Sequence, residues 1–140
     1  MNQSEQIDKI SAALNRAQKK LGSVKKDSSN PFFKSKYADL TSVIEAVKET
    51  LNAEEIAILQ PHNGNTVETV LLHSSGQFLT SSTPVVVAKQ NDPQALGSAI
   101  SYARRYGLQS FVCLPAQDDD GEAAMDRPKP TKQVARKDDF

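Results

Sequence analysis

Cysteine is almost missing from this chain: Cys113 is the only one in 140 residues. That excludes an internal disulfide, and without metal-ligand partners at a suitable spacing it reads as a small core hydrophobe. Histidine is nearly as scarce. His62 and His73 fall at the ends of expected strands beside turns, with no nucleophile or metal-spaced partner in sequence, and read as surface residues. No phosphate loop of the GxxxxGK[ST] type occurs, which argues against ATP dependence. No catalytic constellation is visible either, so the chain is not expected to be an enzyme or to carry a cofactor or metal. No apolar run approaches the length of a membrane span, and Met1 to Gln6 lacks the basic and apolar regions of a secretory signal. A cytoplasmic protein without membrane contact is the expectation. Internal repeats are absent, and so is net charge: 17 basic residues balance 17 acidic ones.

The balance hides an uneven distribution. Residues 1–115 hold 12 Lys and Arg against 10 Asp and Glu, whereas 116–140 hold 5 against 7. Within 16–36 there are seven basic residues (Arg16, Lys19, Lys20, Lys25, Lys26, Lys34 and Lys36) and one acid, Asp27. That local excess suits phosphate neutralisation. A hydrophobic content of 38% is adequate for one soluble domain with a modest core. Its expected extent is 1–115. From Ala116 onward Asp, Glu, Lys and Pro dominate, with too little apolar material to offset ordering entropy, so 116–140 reads as a mostly flexible charged tail.

Apolar spacing gives the elements. Ile7, Ile10, Leu14, Ala17 and Leu21 predict an amphipathic helix with Ser4 as N-cap and Gly22 as C′ glycine, leaving Lys25 and Lys26 just past its end. Ser23 to Tyr37 has no sustained period and reads as an irregular loop. Leu40, Val43, Ile44, Val47 and Leu51 mark a second helix, from near Asp39 to before Glu55. Three strands follow, Ile56 to Gln60, Thr66 to His73 and Phe78 to Val87. Turn signals at Asn63-Gly64 and Ser74-Ser75-Gly76 separate them, and Pro84 signals an edge or a break. A last helix starts at Asp92, with Pro93 at N1, and runs to about Leu108. Phe111 to Leu114 adds a strand or packs as a loop. The fold expected is α+β: a three-stranded antiparallel meander packed by a long helix, with N-terminal helices.

The last helix carries the chemistry. Ala95, Leu96, Ala99, Ile100 and Ala103 form its core side. Gln94, Ser98, Ser101, Tyr102 and Arg105 line another face, where hydroxyls and a guanidinium suit phosphate. Arg104 lies about 100° from Arg105 on a helix. It either binds DNA or makes a salt bridge, such as one across a subunit boundary, whereas Tyr106 is expected in the core. Gly97 costs about 1 kcal/mol against alanine, which suggests close approach of another backbone, a strand or a neighbouring subunit. Upstream, Phe32, Phe33 and Tyr37 interleave with Lys34 and Lys36, giving π-faces for unstacked bases beside cations. The alternative for Phe32 and Phe33 is anchorage in the core. Lys25, Lys26 and Lys89 are weaker candidates.

Three blocks, Asn30-Pro31-Phe32-Phe33-Lys34-Ser35-Lys36-Tyr37-Ala38-Asp39-Leu40, Asp92 to Leu108 and Asp118-Asp119-Asp120-Gly121, resemble in content and order the Erf (essential recombination function) family of phage single-strand annealing proteins. The resemblance covers about Asn30 to Gly121. It implies ATP-independent binding of single-stranded DNA and annealing by a ring or helical oligomer, encoded by a phage or prophage and working in the bacterial cytoplasm. It also implies similarity to the eukaryotic annealing mediator of the Rad type, a β-β-β-α core whose rings hold single-stranded DNA in an outer basic groove. The site residues it implies are Lys34, Lys36, Tyr37, Arg105, Arg104, Ser98, Tyr102, Lys25, Lys26, Phe32 and Phe33. The aspartate run resembles the acidic block closing the Erf core; adjacent carboxylates converge poorly on one ion, so no metal is expected there. The terminal Lys137-Asp138-Asp139-Phe140 resembles the acidic, aromatic ends with which bacterial single-strand-binding proteins recruit partners, which implies a host replication protein as a partner. A double-stranded RNA-binding module is the alternative, because αβββα order with basic loops describes those proteins too.

Overall fold

The computed structural model describes residues 1–26 and 40–115, and for 22–26 the helical backbone alone. Its elements are β1 (Asn2–Gln3), α1 (Asp8–Lys26), α2 (Leu40–Ala53), β2 (Ile56–Leu59), β3 (His62–Asn63), β4 (Thr66–His73), β5 (Phe78–Pro84) and α3 (Pro93–Phe111). The α+β expectation holds. The meander is enlarged to a five-stranded antiparallel sheet in the order β1-β5-β4-β2, with β3 also on β4.

The two additions have simple causes. β3 continues β2 in the same register, with Ile56 opposite His73 and Asn63 opposite Thr66, across a break at Gln60-Pro61. The turn is therefore Gly64-Asn65, one residue later than Asn63-Gly64, and only Gly64 takes a positive φ, 61°. β1 lies on the outer edge of β5, pairing Asn2 with Thr80 and Gln3 with Leu79. Two polar residues carry no strand periodicity, so this strand had no signature. The β4–β5 hairpin turns at Ser74-Ser75-Gly76, where Gly76 takes φ 94°. β5 stops at Pro84, short of Val87, with one further bond just beyond it from the Val85 amide to the Asn65 carbonyl at 2.7 Å.

The three helices of the described residues pack on one face of the sheet. Val67, Thr69 and Leu71 of β4 are fully buried at alternate positions. Leu71 and Ile56 meet Ile10, Ala13, Ala17 and Leu21 of α1, Val43, Val47 and Leu51 of α2, and Leu108 of α3. Val67 meets Ala99 and Ala103 of α3 in a second cluster with Val85. Val112 and Leu114 are buried as the chain leaves α3, so Phe111 to Leu114 packs as a helix end and loop without adding a strand.

Helix α1 departs from expectation at both ends. It begins at Asp8, and Ser4 does not cap it; the Ser4 hydroxyl accepts from the Phe78 amide at 3.0 Å and donates to the Gln6 carbonyl at 2.6 Å. The capping acceptor is Gln77, whose Oε1 takes the amides of Lys9 and Ile10 at 2.8 and 2.9 Å while its Nε2 donates to Asp8 Oδ1 at 2.8 Å. That amide holds the Asp8 carboxyl below the usual carboxylate range. Gly22 lies inside the helix and does not end it, so Lys25 and Lys26 belong to α1 and not to a loop. Arg16 and Lys20 of α1 meet Glu54, just past α2, at 2.7 and 3.4 Å. Arg16 foremost lowers the Glu54 pKa, but pairs this exposed contribute little to stability.

Helix α3 comes close to the sheet at Gly107. A Cβ there would sit 2.7 Å from Thr83 Oγ1 and 3.0 Å from Thr69 Oγ1, whereas one at Gly97 would meet nothing within 4 Å. The strand approach expected at Gly97 is therefore absent, and glycine is needed ten residues later.

Two sets of substitutions test this frame by urea denaturation. Gly97→Ala should stabilise the fold by up to about 1 kcal/mol. Gly107→Ala should destabilise it by roughly 1–2 kcal/mol, because overpacking against the fully buried Thr69 and the half-buried Thr83 outweighs helix propensity. Gln77→Leu, which orphans two helix amides, should cost about 1–2 kcal/mol. Because the folded Asp8 pKa is depressed, its contact with Gln77 stabilises above the unfolded carboxylate pKa and fades as pH falls through about 4 and below. The loss caused by Gln77→Leu should shrink in acid accordingly.

Candidate nucleic-acid interface

Helix α3 is set by its own sequence. The Asp92 carboxylate accepts from the amides of Gln94 and Ala95 at 3.0 and 3.4 Å, and Pro93 occupies the first turn. Ala99, Ala103 and Gly107, one turn apart, form the low ridge facing the sheet. Leu96, expected on the core side, is exposed. Gln94, Gly97, Ser98 and Ser101 are also exposed, so hydroxyls do lie on the solvent side.

The arginines and tyrosines then depart from expectation in an instructive way. Arg105 is only 9% exposed, while Tyr102 and Tyr106 are 57% and 46% exposed. The two rings are nearly parallel, 12° apart with centroids separated by 6.1 Å. The Arg105 guanidinium carbon lies 4.4 Å from the Tyr106 centroid and 5.5 Å from that of Tyr102. Tyr106 is thus not a core residue, and Arg105 is not an open cation on the hydroxyl face. It is a largely buried cation against which two exposed rings are laid, and its Nη1 donates to Gln109 Oε1 at 3.4 Å. Such cation–π contacts contribute about 0.5–2 kcal/mol each, most when water is excluded.

Arg104 faces elsewhere. Its Nε is buried without a hydrogen-bond partner, and no carboxylate pairs with it among the described residues. Its carbonyl accepts from Gln60 Nε2 at 2.9 Å, and the same amide nitrogen reaches the buried Thr69 hydroxyl at 3.0 Å. Gln60 thereby ties the arginine turn of α3 to β4. Lys89 is exposed ahead of α3. Lys34, Lys36, Tyr37, Phe32 and Phe33 lie outside the described residues, as do the side chains of Lys25 and Lys26, the aspartate run and the tail.

Beyond Phe111 the helix closes on an αL residue. Leu114 N–H reaches Gln109 O at 2.9 Å and Cys113 N–H reaches Ser110 O at 3.3 Å, with Cys113 at φ 60°. Cys113 is therefore an exposed C′ residue and not a core hydrophobe. Gln109, Gln60 and Gly107 were not anticipated. The i,i+4 spacing of Arg105 and Gln109 was the one legible sign, since residues so spaced meet on a helix.

Parallel exposed aromatics beside arginines, on an α+β scaffold, give the surface chemistry of the single-strand nucleic-acid-binding class. The chain belongs to the ERF superfamily, whose family model matches residues 10–139. At the family level this means DNA recombination by single-strand annealing, carried out by annealing proteins and not by classical enzymes. The match reaches beyond Asn30 to Gly121 in both directions, taking in most of α1 and nearly all of the tail. No curated protein and no solved structure matches the chain. No helix among the described residues is long and apolar enough to cross a membrane, and no group of His, Cys, Asp and Glu among them is arranged to hold a metal ion.

An αL position filled by a non-glycine residue carries strain that glycine relieves. Cys113→Gly should raise the unfolding free energy by about 1 kcal/mol in a denaturant titration.

Proposed function

We propose that this protein binds single-stranded DNA and anneals complementary strands without ATP, working as a homo-oligomer, ring or helical filament. The observation that carries the reading is the Tyr102–Tyr106 pair laid on Arg105. Free bases stack on exposed rings regardless of sequence, at roughly 1–3 kcal/mol per base. The buried cation holds those rings in place before DNA arrives, so less side-chain freedom is lost on binding. Arg104, partly buried and paired with no carboxylate among the described residues, supplies a guanidinium for a phosphate or for a carboxylate of an adjacent subunit. Ser98 and Ser101 add hydroxyl donors along the same helix. Lys25 and Lys26 at the end of α1, and Lys34, Lys36, Tyr37, Phe32 and Phe33 from the residues between α1 and α2, complete the set. Annealing then needs no covalent chemistry: neutralised phosphates and an ordered first strand reduce the cost of pairing with a second.

The test is annealing of two complementary fluorescent oligonucleotides without nucleotide, with binding to single-stranded DNA, duplex DNA and duplex RNA measured in parallel. Acceleration with single-strand preference supports the reading; preference for duplex RNA without annealing replaces it by the RNA-binding one. Within the same assays Tyr102→Ala should weaken single-strand binding by about 5- to 100-fold with little change in salt dependence, the equivalent of one lost stack. Arg104→Gln should flatten the plot of log affinity against log salt by about 0.7 if one phosphate contact is lost.

A further inference from the structure

Among the described residues the sheet is covered on one side only. Side chains alternate along a strand, so the residues between the buried positions of β2 and β4 point to the other face. Ala57, Leu59, Val70, Leu72 and Phe78 form one apolar patch there, joined by the pairings Ala57–Leu72, Leu59–Val70 and Leu72–Phe78. None of them belongs to a core cluster, and Leu59 is 47% exposed. An apolar sheet face calls for a second layer. Residues 27–39 leave α1 and return to α2, and residues 116–140 follow α3, so the rest of the chain starts from the helix side. The latter are also a poor apolar cover, with 5 basic and 7 acidic residues in 25. Glu68, two residues from Val70 on the open face, is half-buried and has no cation paired with it among the described residues.

A surface of matching character lies on α3. Pro93 to Ala103 contain no charged residue, 11 in a row in a chain that is 24% charged. Surfaces that bury against protein are depleted in charge in this way. Leu96, Ile100 and Arg104 are spaced four apart and share one side of the helix, with Gly97 beside them. Leu96 is 39% exposed although it continues the core stripe, and Gly97 weakens the helix while nothing in its own chain lies within 4 Å of a Cβ there. Arg104 ends the row, half-buried and with no carboxylate paired with it among the described residues. We infer that this side of α3 docks on the open sheet face of a second copy of the chain. Leu96 and Ile100 then cover the apolar patch, the neighbour comes close at Gly97, and Arg104 meets Glu68 of the second copy. The two surfaces differ, so the contact is head-to-tail and repeats into a ring or a helical filament. The inference rests on the homo-oligomer part of the reading above and deepens it by naming the surfaces.

Sedimentation of the full chain without DNA tests the contact. Leu59→Lys spoils the sheet face and Gly97→Gln the helix face, both at exposed positions, and circular dichroism spectra like the wild type's show that the variants fold. Each should dissociate at a concentration at least about tenfold above the wild type's, as loss of a central contact requires. Where both are monomeric, an equal mixture should form a species of two 15.3 kDa chains and nothing larger, because one sound helix face then meets one sound sheet face. Arg104→Glu should also dissociate, and Arg104→Glu with Glu68→Arg in the same chain should reassemble, since the pair is restored with its signs exchanged. Assembly unchanged by Leu59→Lys and Gly97→Gln overturns the contact and leaves the homo-oligomer reading to another surface. A mixture that stays monomeric overturns it too, because no sound pair of faces has then joined. A wild type that is monomeric at every concentration removes both the contact and the homo-oligomer reading, and leaves the open face to residues 27–39 or 116–140. No DNA enters the measurement, so a protein that assembles in this way but fails to anneal loses the single-strand reading and keeps the contact.

Discussion

The seating of α3 on the sheet at Gly107 governs the positions of the other functional groups. With hydrogen in place of a side chain, the helix comes down onto the hydroxyls of Thr69 and Thr83. At that separation Gln60 spans from the buried Thr69 hydroxyl to the Arg104 carbonyl and locks the helix against rotation. A helix so locked has its azimuth decided: Ala99 and Ala103 point inward, and Tyr102 and Tyr106 point out. Interiors are packed densely enough that a shift of even one methylene is felt, so the sheet dictates the direction of the aromatic pair.

Burial of Arg105 follows from the same geometry. A guanidinium removed from most of the solvent needs compensation, and two ring faces with an amide oxygen provide part of it. The charge still acts at the surface through the rings it supports. Arg105 is thereby given over to holding the rings, while Arg104, one residue earlier, is turned elsewhere.

Where local signals were strong, the sequence was legible. Asp92-Pro93 located the start of α3, alternation over Thr66 to His73 located β4 to the residue, and the spacing of Val43, Val47 and Leu51 located α2. The failures share a cause. Gly22 looked like a helix stop and Ser4 like a cap because both are so by propensity, yet the helix runs on through the glycine and a remote glutamine takes the place of the serine. Arg105 and Tyr106 exchanged their expected exposures because an arginine reads as surface and a tyrosine as core until the contacts between them are known. Cys113 was assigned by its usual hydrophobicity, whereas its place was decided by backbone geometry at a helix end. The candidate site was visible as a helix face, but its vertical order, cation below and rings above, was not.

The long-range cap on α1 sets an order of events during synthesis. The amide of Lys9 and the side chain that satisfies it are 68 residues apart in the chain. At about 5–20 residues per second, a ribosome takes roughly 3–14 seconds to cover that distance. For that interval the first turn of α1 has no Gln77, and the helix end waits for a hairpin still being made. The element whose apolar stripe is plainest in the sequence is thus finished only after the middle of the sheet, and its last hydrogen bonds mark the arrival of β5.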